Sequence, residues 1–387
     1  MNSITEMDEM RRPTKLWLVM GTRPEAIKLA PVVLAARALP KAFEVTVVVT
    51  GQHREMLKAV QEVFGITADI DLNIMQPNQT LSGVVARVLE GLDPLLAANP
   101  PDWLVVQGDT STALAAALAA FHRGVRVAHV EAGLRTGDLQ APFPEELNRL
   151  LVTRLASLHF PPTLWAAENL RREGVPDAHS LVTGNTVIDA LHWVRDNRLP
   201  ELDLAERFPQ IDLTRRLILV TGHRRESFGG GMEEICYALR ELAESRDDIT
   251  LVYPVHLNPQ AREPVHRLLG DLEATGRIVL LGPLDYIDFV ALLDRCHTVI
   301  TDSGGVQEEA PSFGKPVLCT RFVTERPEGV DAGYVQLVGP DRAAIVAAAQ
   351  RLLAAPGPWV APGGADSPYG DGKAAQRILA ALRRSAE

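Results

Sequence analysis

Four carboxylates and a histidine stand where a chain could use them for proton transfer. Asp109 follows the run Trp103-Leu104-Val105-Val106-Gln107 and a glycine. Glu131 follows Val125 to Val130, and Glu145 and Glu146 follow Pro142-Phe143-Pro144. A set of this kind does acid–base work when burial and neighbouring negative charge raise one carboxyl's pKa, so that it donates a proton while another accepts one. Ordinary structural roles compete. Asp109 would serve as a helix N-cap, a role worth about 1 kcal/mol, although Thr110 and Thr112 could cap as well. Glu145 and Glu146 in a first helical turn would complement the helix dipole. Glu131 has the weakest structural excuse, because glutamate is a poor turn residue. His223, in Gly222-His223-Arg224-Arg225-Glu226, could donate to a phosphate or protonate a leaving group, and His256 stands at another strand end. The residues alone leave open which carboxylate takes which role.

A second group suits an anion. In Val299-Ile300-Thr301-Asp302-Ser303-Gly304-Gly305-Val306-Gln307-Glu308-Glu309 an apolar run ends, a serine and two glycines follow, and a helix begins. Free backbone N–H groups and the positive end of the helix dipole favour a phosphate at such a junction, although many Gly-Gly pairs are only turns. Arg23 and Lys28 flank another helix start, five positions apart, as cations that could reach a diphosphate; Lys28 also reads as a solvated helix lysine. Arg326, in Thr324-Glu325-Arg326-Pro327-Glu328, is either a ribose or phosphate contact or a loop arginine. No pattern resembles a zinc site or a Walker loop.

The elements that must position these groups alternate. Leu16 to Met20 predicts a buried strand, Ala26 to Leu39 a helix with Pro24 in its first turn, and Glu44 to Thr50 a valine-rich strand. Gly51-Gln52-His53-Arg54-Glu55 opens a further helix. Trp103 to Gln107, an alanine-rich helix and Val125 to Val130 continue a doubly wound parallel pattern to about residue 190. Residues 195–214 break the rhythm with polar residues and prolines and predict a linker. The pattern then restarts with Leu217 to Thr221, Ile249 to Tyr253, Ile278 to Leu281 and Thr298 to Thr301, and Gly372 to Ser385 predicts a last helix. Strand, Gly21-Thr22-Arg23-Pro24-Glu25, helix is matched by strand, Gly222-His223-Arg224-Arg225-Glu226, helix. This predicts two domains of one architecture. Ligands of open parallel sheets bind beyond the carboxyl ends of the strands, where every cluster above lies, and two facing sheets would gather them around one cleft.

Composition narrows the partners. The chain has 387 residues, 46% hydrophobic and 23% charged, which suits two folded domains. Its formal charge of −10 argues against nucleic-acid binding. Three widely spaced cysteines, Cys236, Cys296 and Cys319, predict reduced thiols in a cytoplasmic setting. Residues 1–14 lack the apolar core of a signal peptide, and no stretch of about 20 apolar residues exists, so no membrane partner is expected.

Taken together, Gly21-Thr22-Arg23-Pro24-Glu25-Ala26-Ile27-Lys28, Gly108-Asp109-Thr110, Val130-Glu131-Ala132-Gly133-Leu134-Arg135-Thr136, Pro144-Glu145-Glu146-Leu147-Asn148-Arg149, Val182-Thr183-Gly184-Asn185-Thr186, Gly222-His223-Arg224-Arg225-Glu226, Tyr253-Pro254-Val255-His256-Leu257-Asn258-Pro259 and Thr301-Asp302-Ser303-Gly304-Gly305-Val306-Gln307-Glu308-Glu309-Ala310 resemble the non-hydrolysing UDP-N-acetylglucosamine 2-epimerases, in family order over roughly residues 15–385. The resemblance implies a GT-B-like α/β fold, two Rossmann-like doubly wound domains with the active site in the cleft between them. The expected N-terminal domain is 1–195, with the helix about 372–387 packing back on it, and the UDP-binding domain is 196–371. The implied reaction is reversible conversion of UDP-GlcNAc to UDP-ManNAc for cell-surface polysaccharide precursors, without cofactor or metal, by a cytoplasmic homodimer. UDP is eliminated to give an enzyme-bound 2-acetamidoglucal and then returns as a proton is added to the other face of C2.

By motif position the resemblance makes Asp109, Glu131, Glu145 and His223 catalytic. It gives Arg23, Lys28, Phe289, Ser303, Gly304, Gly305 and Arg326 to UDP, with Glu309 on the ribose hydroxyls. Some bacterial members bind a second UDP-GlcNAc as activator; Gln52 and His256 match that site. Glu55 and Asn78 stand where those members carry glutamine and arginine, which removes a bidentate phosphate contact. Two other departures are local: Phe322-Val323 where Asp-Thr is usual, and Ser367 for the usual asparagine. The rivals are a GT-B glycosyltransferase, which would not need three carboxylates, a hydrolysing epimerase, and a non-catalytic nucleotide-sugar sensor.

Overall fold

The structure is a computed structural model that describes residues 12–51, 60–74, 76, 79–222, 230–354, 359–362 and 366–385. The chain divides into two compact units, Met1–His192 with Tyr369–Glu387, and Trp193–Pro368.

The first unit holds six strands, β1 (Thr14–Met20), β2 (Phe43–Val49), β3 (Ile70–Asp71), β4 (Trp103–Gln107), β5 (Arg126–Val130) and β6 (Leu158–Phe160). They form one parallel sheet in the order β3-β2-β1-β4-β5-β6. The second unit holds β7 (Arg216–Thr221), β8 (Ile249–Pro254), β9 (Ile278–Leu281), β10 (Thr298–Thr301), β11 (Val317–Cys319) and β12 (Val335–Leu337), parallel in the order β12-β11-β10-β7-β8-β9. Counted within each unit, the order is the same. Both sheets are Rossmann-like, and their strand order reverses between the first and fourth strands, the point at which such sheets bind ligands. In the first unit that point lies between β1 and β4, in the second between β7 and β10.

Apolar runs make the strands because each is covered on both faces. Leu16, Leu18, Val19, Leu104 and Val105 are fully buried. Helix Leu81–Ala98 covers one face with Val84, Val88, Leu92 and Leu96, spaced four apart along one stripe and buried. The second unit's core runs through Ile218, Val220, Leu239, Leu251, Val265 and Ile345. The three cysteines are free and buried, and burial pushes the Cys236 and Cys296 thiols up to about 12.

The region 195–214 differs from the expected linker. The boundary between units falls inside helix Thr186–Asn197, and the following residues form a short helix, Leu204–Arg207. Phe208 and Ile211 are 5% exposed, and Arg207 bonds Asp288, so this stretch is anchored to the second unit. The last helix, Ala374–Arg384, belongs to the first unit. Asp189 accepts its first N–H groups, from Ala374 at 3.2 Å and Ala375 at 2.8 Å. Trp103 Nε1 donates to Leu382 O at 3.2 Å, and Arg383 bonds the carbonyl of Arg12 at 2.8 Å. No helix of the described residues is long and apolar enough to cross a membrane.

Candidate active site

In the first unit the chemistry gathers after β1, β4 and β5. β1 ends in Gly21-Thr22. Thr22 caps helix Arg23–Arg37 and forms a capping box with Glu25, whose Oε2 accepts the N–H groups of Gly21 at 3.0 Å and Thr22 at 2.6 Å. Position 21 must be glycine: a Cβ there would lie 2.3 Å from Thr112 Oγ1. Glu25 is 1% exposed, and its other oxygen takes the Thr110 hydroxyl at 2.6 Å, which links the turn after β1 to the turn after β4. Burial pushes the Glu25 carboxyl above the ordinary range, against these hydrogen bonds. Arg23, half-buried at the start of the helix, has no hydrogen bond or ion pair among the described residues.

Asp109 is not the N-cap. Thr110 caps helix Ser111–His122, its Oγ1 accepting the Ala113 N–H at 3.0 Å. Asp109 is thereby released from the structural role that competed for it. Its side chain is 26% exposed, and Arg149 Nη2 donates to its Oδ2 at 2.5 Å. Asn148 Nδ2 donates to its backbone carbonyl at 2.8 Å. Burial pushes the Asp109 carboxyl above the usual aspartate range and nearby Glu131 adds to this, while Arg149 and Lys28 oppose it.

Glu131 has a left-handed backbone, φ +61°, rare for a residue with a side chain and costing roughly 1–2 kcal/mol. Strain of this kind persists where the surroundings hold it, often at functional sites. The hold is visible: Lys28 Nζ and Gln107 Nε2 both donate to Glu131 Oε2 at 2.5 Å. Lys28 is therefore no solvated helix lysine, and it sits among the carboxylates.

Glu145 is half-buried at the first position of helix Glu145–Leu155. Glu146 is 1% exposed and structural: it accepts the N–H groups of Thr136 and Gly137 and pairs with Arg149 at 3.2 Å. Behind these turns His129 is fully buried, its Nε2 at 2.7 Å from Gly108 O, and burial pushes its pKa down to about 3.

In the second unit the turn after β10 is open. Ser303 occupies the N-cap of helix Gly304–Ser312, yet its hydroxyl makes no cap hydrogen bond. The turn is fixed from below: Ser303 N–H donates to Thr301 Oγ1 at 2.9 Å, and that hydroxyl meets Thr221 Oγ1 at 2.6 Å. A cavity of about 230 Å³ lies over the ends of β7, β8 and β10, lined by Thr221, Gly222, Pro254, His256, Ser303 and Val306 among others. Glu309 is half-buried one turn into the helix, and Phe289 is half-buried on helix Tyr286–Arg295. Arg326 bonds the buried Glu308 at 2.7 Å and Glu325 at 3.2 Å. His256 is exposed, its Nδ1 accepting the Asn258 N–H at 3.1 Å. His223 with its neighbouring arginines, and Gln52, Glu55 and Asn78, lie outside the described residues. No cluster among the described residues could hold a metal ion.

Sequence reasoning gave no role to Arg149, Asn148, Gln107 or Glu25. Arg149 carried a signal, since it stands four residues after Glu145 on one helix face. Gln107, a polar residue closing an apolar strand, carried another.

The sequence pattern of the UDP-N-acetylglucosamine 2-epimerase family matches residues 36–383. The UDP-N-acetylglucosamine 2-epimerase of Escherichia coli K12 is 53% identical over 375 residues, 96% of this chain and 99% of that one. The crystal structure of a Listeria monocytogenes protein assigned to the same family is similar with a TM-score of 0.88 at 46% identity, covering 96% of each chain. That of the Neisseria meningitidis UDP-GlcNAc 2-epimerase, bound to UDP-GlcNAc, gives 0.85 at 41% identity, covering 96% of this chain and all of that one.

Proposed function

The chain belongs to the UDP-N-acetylglucosamine 2-epimerase family, and from that premise we propose how its residues divide the reaction. Its two Rossmann-like units are GT-B-like, and it is an isomerase that interconverts UDP-GlcNAc and UDP-ManNAc by the non-hydrolysing route.

The C2 proton of the sugar is weakly acidic, so a free carbanion is costly. Elimination avoids it. A carboxylate takes the proton from C2, the C1–O bond to UDP breaks, and UDP leaves with the electron pair. The other product is 2-acetamidoglucal. In the return step a carboxylic acid delivers a proton to the opposite face of C2 and a phosphate oxygen of UDP adds back at C1. Asp109, Glu131 and Glu145 supply the carboxylates in this reading, and His223 stabilises charge on the departing diphosphate. Ser303, Gly304 and Gly305 hold the diphosphate with Arg23, while Phe289, Glu309 and Arg326 serve the nucleoside. Lys28 holds Glu131 as well as standing at the UDP position that the family motif gives it. Gln52 and His256 are the candidates for a second UDP-GlcNAc.

The observation that carries the reading is the double restraint of Glu131. A glutamate in a left-handed turn, gripped on one oxygen by a lysine and a glutamine, leaves its other oxygen for a substrate. A glycosyltransferase would keep the Ser303 anion site but has no use for that arrangement. The net charge of −10 argues against a nucleic acid as partner, while a small nucleotide sugar needs only a few local cations. Light scattering tests the homodimer.

The decisive experiment is incubation with UDP-GlcNAc in heavy water, followed by proton NMR. Deuterium enters C2 of both UDP-sugars if the reading holds. Free N-acetylmannosamine would instead mark a hydrolysing enzyme, and an untouched C2 would exclude epimerisation.

A further inference from the structure

Arg149 is a largely buried cation beside the reacting carboxylates for which the mechanism above has no use. It lies one helical turn beyond Glu145. Its Nη2 donates to Asp109 Oδ2 at 2.5 Å, and its Nη1 lies 3.2 Å from Glu146 Oε2. The exposed fractions are 11% for the Arg149 side chain and 1% for that of Glu146. Glu146 Oε1 in turn accepts the backbone N–H groups of Thr136 at 3.1 Å and Gly137 at 2.9 Å. Asn148, next along the same helix, donates to the Asp109 carbonyl at 2.8 Å. One helix thus grips both the side chain and the backbone of Asp109 and is itself tied to the loop at 136–137.

A buried ion pair of this kind adds little net stability, because desolvating both charges offsets their attraction. What it supplies is a fixed place and a fixed charge. Asp109 needs both. It is faced by Glu131 from the end of β5, by Lys28 from helix Arg23–Arg37 and by Arg149 from helix Glu145–Leu155. Behind its turn stand neutral His129 on the Gly108 carbonyl and Glu25 on the Thr110 hydroxyl. Among the described residues, Arg149 alone of these groups hydrogen-bonds the Asp109 carboxylate.

We propose that Arg149, held in place by Glu146, is a positioning residue that sets the location and the charge state of the Asp109 carboxylate for epimerisation, a role that rests on the reading of Asp109 given above. With Arg149 in place, Asp109 remains available as a carboxylate despite its burial and the neighbouring Glu131. Without it, Asp109 holds its proton to higher pH.

The test is the pH dependence of deuterium entry at C2 of UDP-GlcNAc. It compares wild type, Asp109→Asn, Arg149→Lys, Arg149→Met and the double variant Glu146→Gln/Arg149→Met, with UDP affinity measured by calorimetry. The double variant removes both buried charges and so avoids a stranded Glu146. The limb of the profile that disappears in Asp109→Asn moves up by about one pH unit or more in both methionine variants, the scale of a lost arginine neighbour. Turnover falls about a hundredfold, and UDP affinity stays within about threefold, under 1 kcal/mol. Lysine at 149 restores most of the limb's position. A limb that does not move in either methionine variant, whatever the turnover, overturns the proposal. A wild-type profile in Asp109→Asn overturns the underlying reading, and the proposal with it.

Discussion

After β4 and β5 the chain places charged side chains; after β10 it places backbone. In the first unit Asp109 is held by Arg149, Glu131 by Lys28 and Gln107, and Glu25 by Thr110 and two amides. In the second, the turn at Ser303 offers a hydroxyl unused for capping, two glycines and a helix start beside a cavity of about 230 Å³. Under the proposed division of roles, the contrast follows from what each turn would do. A group that moves a proton needs a defined position and a defined charge, and both come from buried partners. A group that holds a diphosphate needs donors aimed at a fixed point, which a helix start provides without any titrating group.

The comparison breaks first at the carboxylates. Asp109→Asn and Glu131→Gln should each lower turnover by about 10²-fold or more, the scale of acid–base catalysis, while UDP still binds. Near-normal rates in both would take proton transfer away from the first unit. Lys28→Met comes next. It removes one of two donors on Glu131, so kcat should fall about tenfold or more, the size of a hydrogen bond to a charged group, with UDP affinity nearly unchanged. The reverse split, weak UDP and normal kcat, would return Lys28 to the diphosphate.

The third test concerns stability. His129 is buried with its pKa pushed down to about 3. Unfolding restores its ordinary value near 6.5, so below that pH the unfolded chain takes up a proton that the folded one refuses. The stability is whole above about 6.5 and declines as pH falls toward 3. The slope is about 1.4 kcal/mol per pH unit, or about 2 kcal/mol between 6.5 and 5. Urea unfolding should show this extra loss at pH 5 in wild type and not in His129→Gln, and equal pH slopes would refute it. The smallest effect is expected from Ser303→Ala. UDP affinity drops about fivefold, for one hydrogen bond. Stability stays level, because no cap bond is lost; a stability loss of about 1 kcal/mol with unchanged affinity would make Ser303 an ordinary cap.

The larger strands were legible because a buried parallel strand is a run of apolar residues, and β4, β9 and β10 fall on the expected residues. β3, β6, β11 and β12 are two or three residues long, too short for any periodic signal. The site divides in the same way. Asp109 and Glu131 were legible as candidates because they stand at strand ends, whereas their holders were not. Arg149 reaches Asp109 across 40 positions, and Lys28 reaches Glu131 across 103. Such pairings exist only once the sheet order is known.

The last helix has a consequence for how the protein is made. Trp103, Arg383 and Asp189 tie residues 374–384 into the first unit, while the second unit is one unbroken stretch of chain. A ribosome therefore finishes the second unit's sequence before it releases the segment that closes the first. Domains made early usually fold early, but here the unit begun first is completed last. A purified chain ending at residue 368 should carry a protease-resistant second unit and a first unit still open to cleavage; a resistant first unit at that length would show that it closes without its final helix.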